Sequence, residues 1–444
     1  MASSAKGVAA EIPVDAPWTK TVFVLLIGYF SMTRSFAYLG IPSWNIFVGE
    51  VVLGYFLLLG PRIKTGRWIS VVMKAHSLQK LVRRFWWLFA YGVFEVLRGL
   101  RAGHPPFSSA RDLAFNYYPL YFFLGLWVGL HSRRFLPRMI RALAWFNGVY
   151  GILFILFLNS VPSTFPGVSQ DVAPVAIFGE PTFSAVALIG LLVFEENLQS
   201  VWYLFIMNLF VLLGIQLRGE WLAFGIALLL WSWLTKRLKK LALVGCYLAI
   251  LFAFVFALNL KIEAPRGRGG GTVSAHSIVG RVLAPINPDL ASDYSADYQM
   301  AEGTAMWRVV WWAQIWFSVN AVPSRAILGY GYGYALGDLV PYLQDVFVRT
   351  PHNVFLYVLG YTGWLGVILF FAFQAEIARL LWKVWKLTGQ PFGLLFWVAL
   401  LSFALFEPCF EAPYGAIPFY LVVGCACAPI LYLREVSDVP LAGA

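Results

Sequence analysis

Long apolar stretches that alternate with short basic loops constrain this sequence more than any other feature. A transmembrane helix needs about 20 mostly apolar residues, and about twelve segments of the chain approach that length. The composition agrees with this pattern, because 60% of the 444 residues are hydrophobic and only 12% are charged. Soluble globular proteins are far more polar. The sequence therefore predicts an all-α, polytopic membrane protein.

Basic residues predict the side of the membrane on which each loop lies. Cytoplasmic loops of membrane proteins are enriched in Lys and Arg. Basic clusters occur in residues 62–84, 133–141, 236–240 and 379–386, and the predicted spans place all of them on one side. Both termini are therefore expected in the cytoplasm. The net charge of +11 reflects this orientation, so nucleic acid is not an expected partner and the lipid bilayer is.

One loop is much longer than the others and divides the chain into three parts. Residues 1–260 hold about nine of the predicted spans, and residues 353–444 hold about three. Between them, residues 261–352 are expected to form a large loop on the outer side.

The large loop contains a tryptophan-rich run, MWRVVWWAQIWF, at residues 306–317. As a helix it would place Trp307, Trp311 and Ile315 on one face. Tryptophan at this density is typical of a helix that lies in the membrane–water interface. The alternative is a helix that packs on the protein's own outer surface.

The segment from residue 329 to residue 366 combines a loop, a histidine and the start of an apolar helix. The Gly/Tyr-rich sequence GYGYGY precedes Arg349 and His352, and the apolar helix is expected to begin at Asn353. An imidazole has an ordinary pKa near 6.5, which suits a general base acting on a lipid-held substrate. The alternative is that His352 and Asn353 only cap and hydrate the end of the helix.

Arginines occur on the predicted outer side, where the positive-inside bias disfavours them in short loops. Arg218 lies in such a loop, between two spans. An ion pair with Glu220 or Glu180 is one explanation. An anionic substrate at the membrane surface is the other, because guanidinium groups bind phosphate bidentately and stay charged.

Motifs for metal or nucleotide chemistry are absent from the sequence. The chain has no Asp-x-Asp pair for a magnesium-held diphosphate, no P-loop and no HExxH helix. Its four cysteines fall in apolar segments without zinc spacing. An enzyme with this sequence is therefore expected to need no metal or cofactor and to neutralise a phosphate leaving group with arginine.

Four segments together resemble the O-antigen ligase and polymerase superfamily. They are LRGEWLAF at Leu217, TAMWRVVWWAQIW at Thr304, ILGYGYG at Ile327 and RTPHNVFLYVLGYTGWLG at Arg349. The resemblance implies a GT-C-like membrane glycosyltransferase in the bacterial inner membrane, with its active site facing the periplasm. The donor would be a glycan on undecaprenyl diphosphate. The acceptor would be lipid A-core for a ligase, or another lipid-linked glycan for an O-antigen or exopolysaccharide polymerase.

The resemblance also implies roles for single residues. Arg218 would bind the donor diphosphate, Arg308 would lie beside the glycan or the phosphate, and His352 would activate the acceptor hydroxyl. Arg349 is a further candidate for binding the donor diphosphate. Three residues are candidates for a supporting role at the site, namely Glu180, Arg281 and Asn353.

A transporter or flippase of an anionic lipid is the rival class. Such a protein favours ionisable residues near the bilayer midplane and interrupted helices in corresponding halves. The candidate residues here cluster instead at the predicted outer edge, which favours surface chemistry. We therefore expect a ligase first, a polymerase second and a transporter third.

Overall fold

Helices make up most of the protein. The computed structural model describes residues 17–41, 46–59, 75–161, 176–195, 197–259, 261–264, 271–294, 298–341 and 350–431. Arg349 lies outside these residues, so its predicted role in donor binding stays a prediction.

The N-terminal part of the chain consists mainly of helices. They are α1 (Pro17–Ala37), α2 (Val48–Leu59), α3 (Gln79–Arg101), α4 (Pro106–Asp112), α5 (Ala114–Tyr117), α6 (Leu120–His131), α7 (Phe135–Leu156), α8 (Ser184–Phe194), α9 (Trp202–Gly214), α10 (Arg218–Leu234) and α11 (Leu238–Ala257). A short antiparallel hairpin of β1 (Gly40–Ile41) and β2 (Ile46–Phe47) joins α1 to α2.

The C-terminal part begins with a second antiparallel hairpin, in which Lys261 of β3 pairs with Ser274 of β4. The elements are β3 (Lys261–Ala264), β4 (Gly271–Ser274), α12 (Ala275–Leu283), α13 (Pro288–Ser292), α14 (Tyr298–Asn320), α15 (Pro323–Leu328), α16 (Val354–Thr388), α17 (Phe392–Phe403) and α18 (Pro413–Cys427).

Several helices have the length and composition of membrane spans. Among the described residues, four stretches are long and apolar enough to cross a membrane, namely Pro106–His131, Phe135–Leu156, Val354–Thr388 and Pro413–Leu431. Shorter apolar helices are Val48–Leu58, Ser184–Phe194, Gln199–Gly214 and Phe392–Phe403. The structure is consistent with an all-α membrane protein. The number of about twelve spans and the side on which the large loop lies stay predictions.

Helix α18 forms the centre of the bundle. Every residue of α18 except Tyr414 is buried. It packs closely on α6, because a Cβ added to Gly424 would lie 2.1 Å from the carbonyl oxygen of Phe122, and one added to Gly125 would lie 2.0 Å from that of Leu421. Glycine at these positions lets the two backbones approach.

The tryptophan-rich run lies within α14, which packs one face on the protein. Trp311 and Ile315 are fully buried, and the indole N–H of Trp311 donates to the carbonyl of Leu336 at 2.9 Å. Phe317 on the other side of the helix is 68% exposed. The buried face agrees with packing on the protein's own surface, and contact of the exposed face with the membrane interface stays a prediction.

The Gly/Tyr-rich loop is inserted into a kink of α16. Gly363 in the kink has a φ of +62°. The backbone N–H groups of Tyr330 and Gly331 donate to the carbonyls of Gly360 and Tyr361, at 2.9 and 2.8 Å. These bonds fix the loop at the side of the first turns of α16.

Arg98 of α3 also holds this loop. Its guanidinium donates to the carbonyls of Leu328 and Gly329, at 2.5 and 3.2 Å, and pairs with the buried carboxylate of Glu95 at 2.5 Å. Glu95 and Arg98 lie one helical turn apart in the sequence, and their ion pair therefore has a structural role.

Replacing Gly363 with alanine should destabilise this junction. The positive φ alone should cost about 1–3 kcal/mol. The new Cβ would also lie 2.4 Å from the carbonyl carbon of Ile327. A clear fall in melting temperature in detergent is expected. Gly54→Ala is the matched control, because no atom lies within 4 Å of a Cβ at Gly54. Equal melting temperatures of the two variants would contradict the packing role of Gly363.

Candidate active site

His352 has a constrained backbone just before α16. Its φ is +53°, in the left-handed region that few non-glycine residues adopt. The indole N–H of Trp312 donates to the carbonyl of Pro351 at 2.6 Å. The ring of Trp307 meets the imidazole edge-on, with the ring centroids 5.7 Å apart. Helix α14 therefore fixes the imidazole, while 24% of the side chain stays exposed and can be reached by a substrate.

Asn353 is the N-cap of α16. Its Oδ1 accepts a hydrogen bond from the backbone N–H of Leu356 at 3.0 Å, as Asn commonly does at this position. Its Nδ2 donates to the carbonyl of Leu405, also at 3.0 Å. The capping role considered from the sequence therefore belongs to Asn353, and the residue also ties α16 to the loop after α17.

Arg308, His352 and Glu407 form a compact cluster. Nη2 of Arg308 lies 3.2 Å from Nδ1 of His352 and 3.2 Å from Oε1 of Glu407. Oε2 of Glu407 lies 3.5 Å from Nδ1 of His352. The cluster joins three separate parts of the chain, namely α14, the residue pair before α16 and the loop between α17 and α18.

Arg308 is also held by its backbone and aromatic surroundings. Nη1 donates to the carbonyl of Phe406 at 3.0 Å, and the guanidinium lies 5.5 Å from the ring centroid of Trp307. Only 14% of its side chain is exposed. A guanidinium in such a poorly solvated position interacts strongly with charged groups.

Arg218 begins α10 at the edge of the same region. Its Nη1 donates to the carbonyl of Arg281 at 3.3 Å. The buried guanidinium of Arg281 points back to the carbonyl of Gln216 at 3.5 Å, and Nε2 of Gln216 donates to the hydroxyl of Ser277 at 3.0 Å. Arg281 thus supports the turn before Arg218 by joining it to α12.

Arg218 shares an electrostatic environment with Arg308 and Glu407. Burial lowers the pKa of Arg218, the charge of Arg308 lowers it further, and the charge of Glu407 acts in the opposite direction. The neighbouring Gly219 approaches Glu407 closely, because a Cβ there would lie 3.4 Å from its Cγ. Two guanidinium groups therefore lie near one carboxylate, at the N-terminus of a helix, and this arrangement favours an anion.

Glu220 and Glu180, the residues considered as ion-pair partners of Arg218, also make contacts with other helices. Oε1 of Glu220 accepts a hydrogen bond from the backbone N–H of Ala185 at 2.9 Å, at the start of α8. The carbonyl of Glu180 accepts one from the hydroxyl of Thr33 in α1, also at 2.9 Å. A direct role of Glu180 at the site stays a prediction.

Glu407 is the residue of the cluster that sequence reasoning did not assign to the site. It lies in the sequence FEPCFE between two apolar stretches, as does Glu411, and charges in such positions suggest function. Burial raises the pKa of Glu411 to about 7, and its Oε2 accepts from the backbone N–H of Cys409 at 3.2 Å. Only the structure shows that Glu407 contacts His352. In the part of the chain that the structure describes, no group of three or more His, Cys, Asp or Glu side chains could hold a metal ion.

Comparison with known families adds an independent finding. Residues 203–371 match the family model described as O-antigen ligase. The matched region contains Arg218, Arg308 and His352, whereas Glu407 lies beyond it. No curated protein matches the chain. The family resemblance that the sequence motifs predicted is confirmed.

Proposed function

We propose that this protein, whose residues 203–371 match the O-antigen ligase family model, transfers a glycan from undecaprenyl diphosphate to an acceptor hydroxyl. The reaction would take place at the periplasmic face of the bacterial inner membrane, and lipid A-core is the acceptor that we favour. The observation that carries the proposal is the 3.2 Å contact between Nη2 of Arg308 and Nδ1 of His352. It joins a cation suited to a diphosphate with a base suited to a hydroxyl.

The donor half of the site uses Arg218 and Arg308. Departure of a lipid diphosphate builds negative charge on its bridging oxygen, and preorganised cations stabilise that charge. The two guanidinium groups come from different elements, α10 and α14, so they can contact different phosphate oxygens. Charge-assisted hydrogen bonds of this kind are about twice as strong as neutral ones.

The acceptor half of the site uses His352. As the acceptor oxygen bonds to the anomeric carbon, the bond from that carbon to the diphosphate breaks and the electron pair leaves with the phosphate. The hydroxyl proton passes to the unprotonated imidazole nitrogen. Negative charge then lies next to the arginines, and positive charge lies on His352 beside Glu407.

Reconstitution with defined substrates tests the reaction. The purified protein in lipid nanodiscs would be incubated with a lipid-linked glycan, with and without lipid A-core. A single transfer that requires lipid A-core supports the ligase, and a ladder of longer lipid-linked glycans without it supports the polymerase. Activity should persist in EDTA. Loss of activity in EDTA that added magnesium restores would contradict the metal-independent mechanism.

Thiol labelling tests the orientation on which the proposal depends. Ser292 in α13 is exposed, and so is Gln390 between α16 and α17. In a variant lacking the exposed Cys246, Ser292→Cys should react with an impermeant thiol reagent added from the periplasmic side. Gln390→Cys, on the predicted cytoplasmic side, should react only after the membrane is opened. The reverse result would show that the large loop faces the cytoplasm.

A further inference from the structure

We infer that Glu407 is the positioning residue of His352, holding the imidazole with its proton on Nδ1 so that Nε2 can accept the proton of the acceptor. The inference rests on the proposed function, because it assigns a task to the base of that reaction. It extends the site to the loop between α17 and α18, beyond the region that matches the family model.

Among the described residues, Arg308 and Glu407 lie close to Nδ1 of His352. Nη2 of Arg308 lies 3.2 Å away and Oε2 of Glu407 lies 3.5 Å away. A guanidinium is only a donor and a carboxylate is only an acceptor. If Arg308 donates to Nδ1, the proton of the neutral imidazole must be on Nε2, and that nitrogen cannot act as a base. If Nδ1–H donates to Glu407, Nε2 is the basic nitrogen.

Glu407 is therefore the group that selects the reactive tautomer. Its carboxylate can hold Nδ1–H and later stabilise the imidazolium that forms when Nε2 receives the proton. The same carboxylate also binds Arg308, at 3.2 Å. The donor diphosphate offers Arg308 a second anion, so donor binding draws the guanidinium away from Nδ1 and favours the tautomer that Glu407 holds.

The position of Glu407 supports this assignment. The side chain is 9% exposed, which strengthens its interactions with charged groups. The carbonyl just before it accepts from Nη1 of Arg308, and the loop is tied to α16 by Asn353. These hydrogen bonds therefore hold the loop, and with it the carboxylate of Glu407, in a fixed position next to His352.

Glu407→Gln tests the inference by its effect on the pH profile. Glutamine can donate to Nδ1 or accept from it, so it no longer selects the tautomer. Turnover should fall by roughly 10- to 10³-fold. A carboxylate favours the imidazolium, so its removal should move the acid limb of the turnover profile to lower pH, by roughly half to one unit. The KM for the lipid donor should change much less than turnover.

The control variant for Glu407→Gln is chosen from the other charged groups in this region. In the described part of the chain, Arg308 from α14 and Glu407 from the loop before α18 contact the imidazole, and Arg218 from α10 and Glu411 interact electrostatically with Glu407. Because Glu411 has a pKa of about 7, its titration falls in the same pH range. Glu411→Gln should leave turnover and the acid limb unchanged. An acid limb that disappears in Glu411→Gln would assign the titration to Glu411 and overturn the inference.

Glu407→Asp provides a second test that preserves the charge beside Arg308. Its shorter side chain lengthens the contact with Nδ1, so turnover should fall while the acid limb stays near its wild-type position. If Glu407→Gln does not fold, wild-type turnover of Glu407→Asp overturns the inference by itself. Wild-type turnover and an unchanged acid limb in Glu407→Gln also overturn it. If Glu407→Gln behaves like the wild type and His352→Ala is inactive, only the inference about Glu407 is wrong and the proposed function stands. If His352→Ala is active as well, the proposed function is also wrong.

Discussion

Replacing His352 with alanine should lower turnover by about 10²–10⁴-fold, the usual contribution of a general base. The KM for the lipid-linked donor should change little, because Arg218 and Arg308 remain. Turnover with a lipid-linked glycan and a saturating acceptor, in nanodiscs, would measure the effect. The wild-type activity should also fall at acidic pH. A base works only when unprotonated, and protonation of His352 removes the lone pair that accepts the hydroxyl proton.

A capping variant separates this chemistry from helix stability. Asn353→Ala removes the hydrogen bond to the N–H of Leu356, which should cost about 1 kcal/mol of stability. Asn353→Ala should clearly lower the melting temperature and reduce turnover only slightly. His352→Ala should strongly reduce turnover and change the melting temperature only slightly. If both variants lose stability alike and His352→Ala keeps near-normal turnover, His352 is a structural residue and the proposed mechanism is wrong.

The sequence predicts the local features of the site well. The apolar periodicity after residue 353 predicts α16, and the structure begins this helix at Val354 with Asn353 as its cap. The tryptophan-rich run predicts a helix, and α14 contains all of it. These predictions succeed because helix starts and apolar faces depend on residues a few positions apart.

Contacts between distant segments are beyond such patterns. Two helices, α16 and α17, separate Glu407 from His352 along the chain. Nothing in the local sequence relates the two residues. The pairing arises because α16 and α17 are adjacent, so the loop after α17 returns to the start of α16, where the N–H of Val354 donates to the carbonyl of Ala404 at 2.8 Å. The kink at Gly363 likewise depends on a loop that closes against α3.

The role of Arg218 could also not be decided from the sequence. The positive-inside bias identifies Arg218 as unusual, but it cannot tell an ion pair from a substrate contact. The structure places Arg218 in the electrostatic field of Arg308 and Glu407, and gives its Nη1 the carbonyl of Arg281. Arg308 is a second guanidinium in this field, and two cations beside one carboxylate favour the interpretation that a substrate anion binds nearby.

Replacing Arg218 with alanine should weaken use of the lipid diphosphate. Loss of one charge-assisted hydrogen bond costs roughly 1.5–3 kcal/mol, which corresponds to a fall of about 10- to 150-fold in kcat/KM for the donor. Lysine should restore only part of this, because it keeps the charge but cannot bind two phosphate oxygens in a fork. The assay is donor titration at saturating acceptor.

Arg281→Lys is the matched control for the structural role of this region. Nη1 of Arg281 points to the carbonyl of Gln216, so substitution of Arg281 should loosen the packing of α12 and lower the melting temperature, with a small effect on kcat/KM. If Arg218→Ala behaves in the same way, with a normal donor kcat/KM at normal expression, Arg218 only supports the turn between α9 and α10. Arg308 would then be the principal cation for the diphosphate, and donor binding would influence His352 through this guanidinium alone.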